Sequence, residues 1–461
     1  MTRRKKVLLL LAILLVFLLA APFIYLLVWA HLARTRFDAA VEDLRRRGEP
    51  TTLAELAPPP VPDEQNAAVL YEEAFSLYEP FCERLSPETY RAIDNLTRKR
   101  QPLSQQELVE VRSILSGSQE ILKLVHSGAQ RNLCCYHLDY SLPSYELLRK
   151  GCPTSRELLG VMGLLRLSAR LNLSEAHMDR AVEDCLTLRA LARSLHETPG
   201  SVALICEEIL EDNSYRALMR ILSEAEPGPE LIHRMLAAIG PYDDRQRLLL
   251  GLRSERIEDI DMLRLIANDP HWRQVIGVDG GASGWRRIFG SVGFFTDAYD
   301  CQPNVWLSDG LTYIRLMDQA IQLSVKPYYQ SASGWKRITQ EPPFTRTGFC
   351  RPAVRVFIYD NPFAVPGESF DCSVARRAEA RLALLLRLYR MKTGHYPDSL
   401  SDLIPDFLGK LPLDPFSGKD FVYRRDGAGF VLYSLGPNMV DDAGLQDTAT
   451  AKDDIVAKSS R

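Results

Sequence analysis

No two of the nine cysteines are spaced C-x-x-C, which removes zinc ribbons and thioredoxin-type redox motifs. The eight histidines, His31, His126, His137, His177, His196, His233, His271 and His395, contain no H-x-x-x-H or H-E-x-x-H pair, so a helical zinc site has no ligands to start from. The glycine cluster GVDGGASG, Gly277 to Gly284, is not followed by the Lys-Ser/Thr of a phosphate loop, and Ser283 does not complete G-x-S-x-G. Flexible connection is its expected use. Charge of one sign is lacking as well: 56 Lys and Arg against 59 Asp and Glu leave a formal net charge of −3, whereas a nucleic-acid footprint needs a basic stripe. With no catalytic motif, the expected class is not an enzyme.

What is present begins with the run VLLLLAILLVFLLAAPFIYLLVWA, Val7 to Ala30, 24 residues without a charge. At 1.5 Å per residue it covers the roughly 30 Å hydrocarbon core of a bilayer, and it reads as a permanent transmembrane anchor. A cleaved signal is the rival, because Pro22 follows Ala20 and Ala21; such signals have apolar regions of only about 7–15 residues. Tyr25 and Trp29 suit an aromatic interfacial belt, and Arg3, Arg4, Lys5 and Lys6 place the N-terminus, residues 1–6, in the cytoplasm. The expected location is a cell inner membrane crossed once, with the bulk of the chain extracytoplasmic. In that compartment Cys134, Cys135 and Cys152 are close enough to supply one disulfide, as are Cys350 and Cys372, while Cys185 and Cys206 read as buried thiols.

A composition of 46% apolar and 25% charged residues is that of a folded protein with two or three domains. Residues 31–66 read as a juxtamembrane helix, Ala33 to Arg47, followed by a Pro-rich linker, Pro50 to Pro62. Residues 67–267 are helical throughout, with apolar positions three and four apart and breaks at prolines, and predict an irregular helical bundle or short solenoid. In RSERIEDID, Arg253 to Asp261, Glu255 and Glu258 or Asp259 fall on adjacent turns; ion pairing on a solvated face is the expected role. Residues 268–370 read as an irregular segment packed on the helical domain, with one regular helix from Gly310 to Val325 and two similar strings, ASGWRRI (282–288) and ASGWKRI (332–338).

The segment 371–461 predicts a small α+β unit. A helix from Cys372 to Met391 has one apolar face and one face carrying Arg376, Arg377, Arg381, Arg387 and Arg390. A short helix from an Asp398 N-cap to Ile404, strands at Asp420–Arg425 and Phe430–Ser434 joined through DGAG, and a last strand near Asp454–Val456 complete it. The order of GHYPDSLSDLIPDFLGKLPLDPFSGKDFVY, FVLYSLGPNMVDDAG and DDIV resembles the globular end of the major pseudopilin of type II secretion systems, over less than a fifth of the chain. The whole arrangement is also similar to a group of uncharacterised bacterial single-pass membrane proteins.

That resemblance implies a long helix with an antiparallel sheet, and a calcium ion held by the C-terminal loop. The matching positions are Asp442, Asp453 and Asp454, with Asp441, Asp447 and the carbonyls near Ser434 and Leu435 as further candidates; calcium takes six to eight oxygen ligands. Neither a leader glycine nor the glutamate that follows a pseudopilin processing site is found here, so the resemblance extends to fold and not to pilus assembly. The expected function is a membrane-anchored extracytoplasmic interaction scaffold that binds other envelope proteins and is linked to type II secretion. The alternative is an extracytoplasmic enzyme with its site in the helical domain. A polar pocket holding an acid-base pair would favour the enzyme; an apolar or uniformly charged groove would favour binding.

Overall fold

The computed structural model describes residues 3–99, 101–150, 155–240, 244–269, 271, 275, 305–340, 366–447 and 452–459. It is mainly helical, with a small three-stranded antiparallel sheet near the C-terminus.

Helix α1, Arg3–Arg46, is continuous through the apolar run. From Ile13 to Phe17, and at Ile24, Tyr25, Leu27 and Val28, its side chains touch no core and are about half or more exposed. Eleven of the 24 residues from Val7 to Ala30 lie outside those whose side chains are described, and among the described residues no helix is long and apolar enough to cross a membrane. The second half of α1 behaves differently. Ala30, Ala33, Phe37, Val41 and Leu44 recur at three- and four-residue spacing and are all buried. Phe37, Val41 and Leu44 meet Ile260 and Leu263 of α11, Arg245–Asn268, and Leu307 and Ile314 of α12, Val305–Ser324. Past the end of α1, Glu49 pairs with Arg253 (2.9 Å) and Arg256 (2.8 Å), and Asp318 pairs with Arg256 and Arg47, each at 2.8 Å. Arg256 is fully buried between its two carboxylates. The expected linker is thus fastened down, and Leu53, in a short 3-10 turn, packs on Ile257 and Leu147.

The helical region forms in two layers. In the first, α2 (Ala67–Glu83), α3 (Pro87–Arg98), α4 (Gln105–Gly117) and α5 (Gln119–Ala129) enclose Tyr71, Tyr78, Val111 and Val125. Starts are set by local chemistry: the Ser86 hydroxyl accepts from the Thr89 amide ahead of Pro87, and Ser104 with Glu107 makes a reciprocal capping box. A short α6, Ser144–Lys150, follows. Helices α7 (Ser155–Ser174), α8 (Met178–Arg193) and α9 (Ser201–Glu224) stack next and join this layer to the second. There α10 (Pro229–Ile239), α11, α12 and α13 (Tyr328–Gln340) share one core with α14 (Pro366–Thr393) and the sheet, running from Ala169 to Ala457. Helix α13 is an addition to the single helix expected between 268 and 370. It contains the second ASGW string, with Trp335 at 2% exposure; the first, 282–288, lies outside the described residues.

In the C-terminal unit β1 (Val422–Asp426) pairs with β2 (Gly429–Ser434), and β2 with β5 (Ile455–Ser459), giving the order β1-β2-β5 with Val422 opposite Tyr433 and Ser434 opposite Ile455. The hairpin closes over Gly427 and Ala428, a tighter turn than expected, with Gly427 at φ +57°. The short helix is a 3-10 turn, Leu400–Leu403, capped by Ser399 rather than Asp398. A two-residue ribbon, β3 (Gln446–Asp447) with β4 (Lys452–Asp453), flanks the sheet.

The basic face of α14 is not solvated. It lies on an acidic row of α9, where Arg377 and Arg189 both grip the buried Glu211, Arg376 meets Asp212 at 3.1 Å, and the Arg387 guanidinium donates to the Leu222 carbonyl at 2.6 Å. Arg245 of α11 closes the seam on the buried Asp371 at 2.5 Å. Burial opposes ionisation of Glu211, but Arg189 and Arg377 outweigh it and hold the carboxyl below its usual range.

Among the described cysteines Cys82, Cys134, Cys135, Cys185, Cys206 and Cys372 are free, with Cys185 and Cys206 buried as expected. Cys152 and Cys350, on which both expected pairings depend, lie outside the described residues.

Candidate functional site

The expected metal-binding aspartates sit in the connection from β2 to β5. Its path turns at Ala443 (φ +60°) and Gly444 (φ +75°), where a side chain at 444 would press on the Tyr433 ring. That turn brings Asp441, Asp442 and Asp454 together. Asp441 accepts from the Tyr433 hydroxyl and the Ala443 amide, each at 2.9 Å. Asp442 accepts from the Asn438 side-chain amide at 2.9 Å. Asp454 is fully buried; one carboxylate oxygen accepts from the Gly444 amide at 2.8 Å and the other has no hydrogen-bond partner among the described residues. Burial, reinforced by the charges of Asp442 and Asp441, raises its pKa. The side chains of Asp447 and Asp453 lie outside the described residues.

Ser434 and Leu435 face a different acid group. The Ser434 hydroxyl donates to Asp414 at 2.6 Å, its amide donates to Glu379 at 3.0 Å, and the Leu435 amide donates to Asp414 at 3.3 Å. Both acids are buried, and burial lifts the Glu379 carboxyl well above the usual carboxylate range. Sequence reasoning missed this pair; its one signal was Asp414 in LPLDP, which caps the following turn by accepting from the Phe416 amide at 3.0 Å. Among the described residues no group of three or more His, Cys, Asp or Glu is arranged to hold a metal ion.

A second site was not anticipated. Between α2, α3, α7 and α9 runs a groove of about 950 Å³ lined by Arg156, Arg166, Arg216 and Arg220. Tyr78, Tyr90, Ile93, Leu159, Met162 and Ile209 form its apolar walls. Close helix approach shapes it: Gly160 leaves room for the Tyr78 ring, where a methyl group would overlap it, and Gly163 faces Ile93. At one end, by the C-terminus of α3, a smaller cavity of about 50 Å³ is walled by Arg166, Arg170, Arg216 and Arg220. Three of these cap the orphan carbonyls of α3. Arg166 donates to Thr97 at 3.0 Å, Arg170 to Lys99 at 2.9 Å and Gln101 at 2.7 Å, and Arg220 to Lys99 at 3.0 Å. Burial and the like charge of Arg220 lower the Arg170 pKa to about 10. A buried guanidinium nitrogen of Arg220 has no hydrogen-bond partner among the described residues. Neither cavity has a carboxylate or histidine among its described lining residues.

The acidic stretch of α11 also differs from expectation. Arg253 and Arg256 pair with Glu49 and Asp318 rather than with their own helix, and Asp259 is buried. Burial, then the charge of Glu255, raises the Asp259 pKa far above its usual value, and Tyr313 of α12 lies against it.

No known protein family matches this chain, and neither a curated protein nor a solved structure is similar to it.

Proposed function

We propose that this protein is a membrane-anchored extracytoplasmic scaffold of the bacterial envelope that binds acidic partners through the groove between α2, α3, α7 and α9. The observation that carries the reading is the composition of that groove. The charged side chains among its described lining residues are all arginines, with no acid-base pair among them, which suits holding a partner rather than transforming one. The exposed apolar side chains between Ile13 and Val28 support an anchor, since a soluble body rarely leaves so long an apolar stretch uncovered. Arg3 to Lys6 favour a cytoplasmic N-terminus and an outward body. The unpartnered oxygen of Asp454, beside Asp441 and Asp442, supports calcium as a stabiliser of the pseudopilin-like C-terminal unit.

Two experiments test the scaffold. The full chain is expected to stay in the pellet on alkaline carbonate extraction of membranes, and a chain lacking residues 1–30 to leave it; recovery of the full chain in the supernatant sinks the anchor. A photo-crosslinking residue at Asn213, in the groove, is expected to give a discrete adduct in intact cells that disappears with Arg156→Glu and Arg216→Glu combined. An adduct indifferent to charge reversal removes the groove as the binding site.

One observation favours the enzyme as a second reading. Asp259, with its neighbour Glu255 on α11 and Tyr313 on α12, gathers an acid of raised pKa from the helical domain and a phenol from the segment after it. A water-soluble carbodiimide at neutral pH distinguishes the two: a substrate-accessible carboxylic acid labels within minutes, whereas on the scaffold reading Asp259 stays unlabelled until the protein unfolds.

A further inference from the structure

We propose that the occupant of the arginine-lined groove is an acidic, partly apolar peptide segment of a partner protein, with one carboxylate seated in the small cavity at the end of α3. This deepens the scaffold reading and rests on it. The argument begins with charge. Four guanidiniums border the small cavity, and no carboxylate or histidine is among its described lining residues. Guanidinium forks match carboxylates two bonds at a time, and at this end of the groove a buried Arg220 nitrogen has no hydrogen-bond partner among the described residues.

The neighbouring acids do not fill this role. Glu79 meets Arg156 at 3.1 Å and Asp212 meets Arg216 at 2.7 Å, with the two arginines 54% and 58% exposed. The Arg156–Glu79 pair is exposed on both sides and worth about 0–1 kcal/mol, so an incoming carboxylate exchanges with it at little cost. Asp212, 19% exposed and also held by Arg376, keeps its place on the Arg216 Nε. Glu224 stands 3.9 Å from Arg220, at the edge of ion-pair range.

The remaining walls select a peptide over a small anion. A cavity of about 50 Å³ is enough for a carboxylate, yet it opens into about 950 Å³ of groove, the upper end for small-molecule sites, which normally enclose their ligand. This groove is open instead: Tyr90 is 43% exposed, and Arg156 and Arg216 more so. The exposed Tyr90 and the half-buried Leu159, Met162 and Ile209 offer apolar contact between the charges, and Asn213 can bond to a peptide backbone. Acidic residues alternating with leucine or similar side chains satisfy both sets of walls.

The test uses the full chain in detergent micelles and a rhodamine-labelled decapeptide of alternating glutamate and leucine, read by fluorescence anisotropy. Saturable binding is expected, with no binding of the matching lysine-leucine peptide, and Arg216→Glu is expected to weaken it by at least about tenfold. Equal affinity for that variant overturns the proposal. Should Arg216→Glu lower the thermal midpoint, Arg156→Glu, in an exposed pair away from the end of α3, asks the same question. Inorganic phosphate and phosphatidic-acid vesicles are run alongside. Binding of either of these alone, lost in Arg216→Glu, removes the peptide but keeps a cationic binding groove; failure of every anionic probe takes the scaffold's groove down as well.

Discussion

At the scale of single residues, most of the chemistry lies in carboxyl groups whose surroundings fix their protonation. Burial lifts Glu258, which accepts from the Ser201 hydroxyl at 2.8 Å, from 4.5 to about 7. Glu208 is raised to about 7 by the same cause. Between pH 4.5 and 7 the folded state therefore holds protons that the unfolded chain has released, so stability falls as pH rises through that window. His196 adds to the trend: its hydrogen bond to Glu207 raises its pKa above 6.5, a contribution present at lower pH and lost as pH rises through the folded value. The thermal midpoint is expected to drop between pH 5 and pH 8, and Glu258→Gln to raise it at pH 8 while leaving pH 5 unchanged. A flat profile in the parent protein contradicts the assignment. Asp454 makes a separate prediction. Calcium at ten times its dissociation constant stabilises by about 1.4 kcal/mol, so millimolar calcium should raise the midpoint relative to chelator, and Asp454→Asn should abolish the rise. None of these environments is written in local sequence. The motif around Asp442 and Asp454 singled them out but says nothing of the burial of Asp454, and Arg166, Arg216 and Arg220 come from α7 and α9 and meet only through folding.

The elements themselves were more legible. Proline breaks and three-to-four periodicity marked residues 67–267, where α2 through α11 lie, as helical, and the paired strands β1 and β2 followed from the DGAG connection between them. Helix α13 was not legible, because YYQSASGWKRITQ has an interior glycine and few strong helix formers. It forms because Tyr328, Trp335 and Ile338 are buried against neighbours, a tertiary effect that outweighs propensity. The basic face of α14 was legible as a face but not its partner: only the acidic row of α9 reveals a buried seam. Helix α1 gives the sharpest prediction at this scale. Phe37 is fully buried against α11 and α12, with its ring on Gly310. Phe37→Ala should cost about 3–5 kcal/mol, read as a shift of the denaturation midpoint. A shift below about 1 kcal/mol would mean that the lower half of α1 is not docked.

For the molecule as a whole, the C-terminal unit is not an appended module. Its sheet and α14 share one apolar core with α8 through α13, and the charges of Glu211, Asp212 and Asp371 tie the same surfaces. Cooperative unfolding follows, since neither part keeps its interior without the other. Calorimetry of the full chain should show one transition for these elements, with a tryptophan signal at Trp335 and a label on the β1–β2 hairpin moving together; separate transitions would divide the chain near 366. Sequence patterns placed a boundary at 371 because residues 268–370 read as irregular, and pattern alone does not report what packs on either side of it.

The clamp of Glu49, Arg256 and Asp318 on the end of α1 has a mechanical meaning. From Ala30 to Arg46 the helix runs about 24 Å along the body at 1.5 Å per residue, seated on α11 and α12 with no hinge in between. Such a chain has no tether. On the proposed anchoring, the exposed apolar half of α1 is the handle of a stiff lever, and whatever sets its tilt in the bilayer also sets the direction in which the groove faces. Spanning helices tilt by about 20° on average and more when the bilayer thins, so lipid thickness becomes a variable that aims the binding surface.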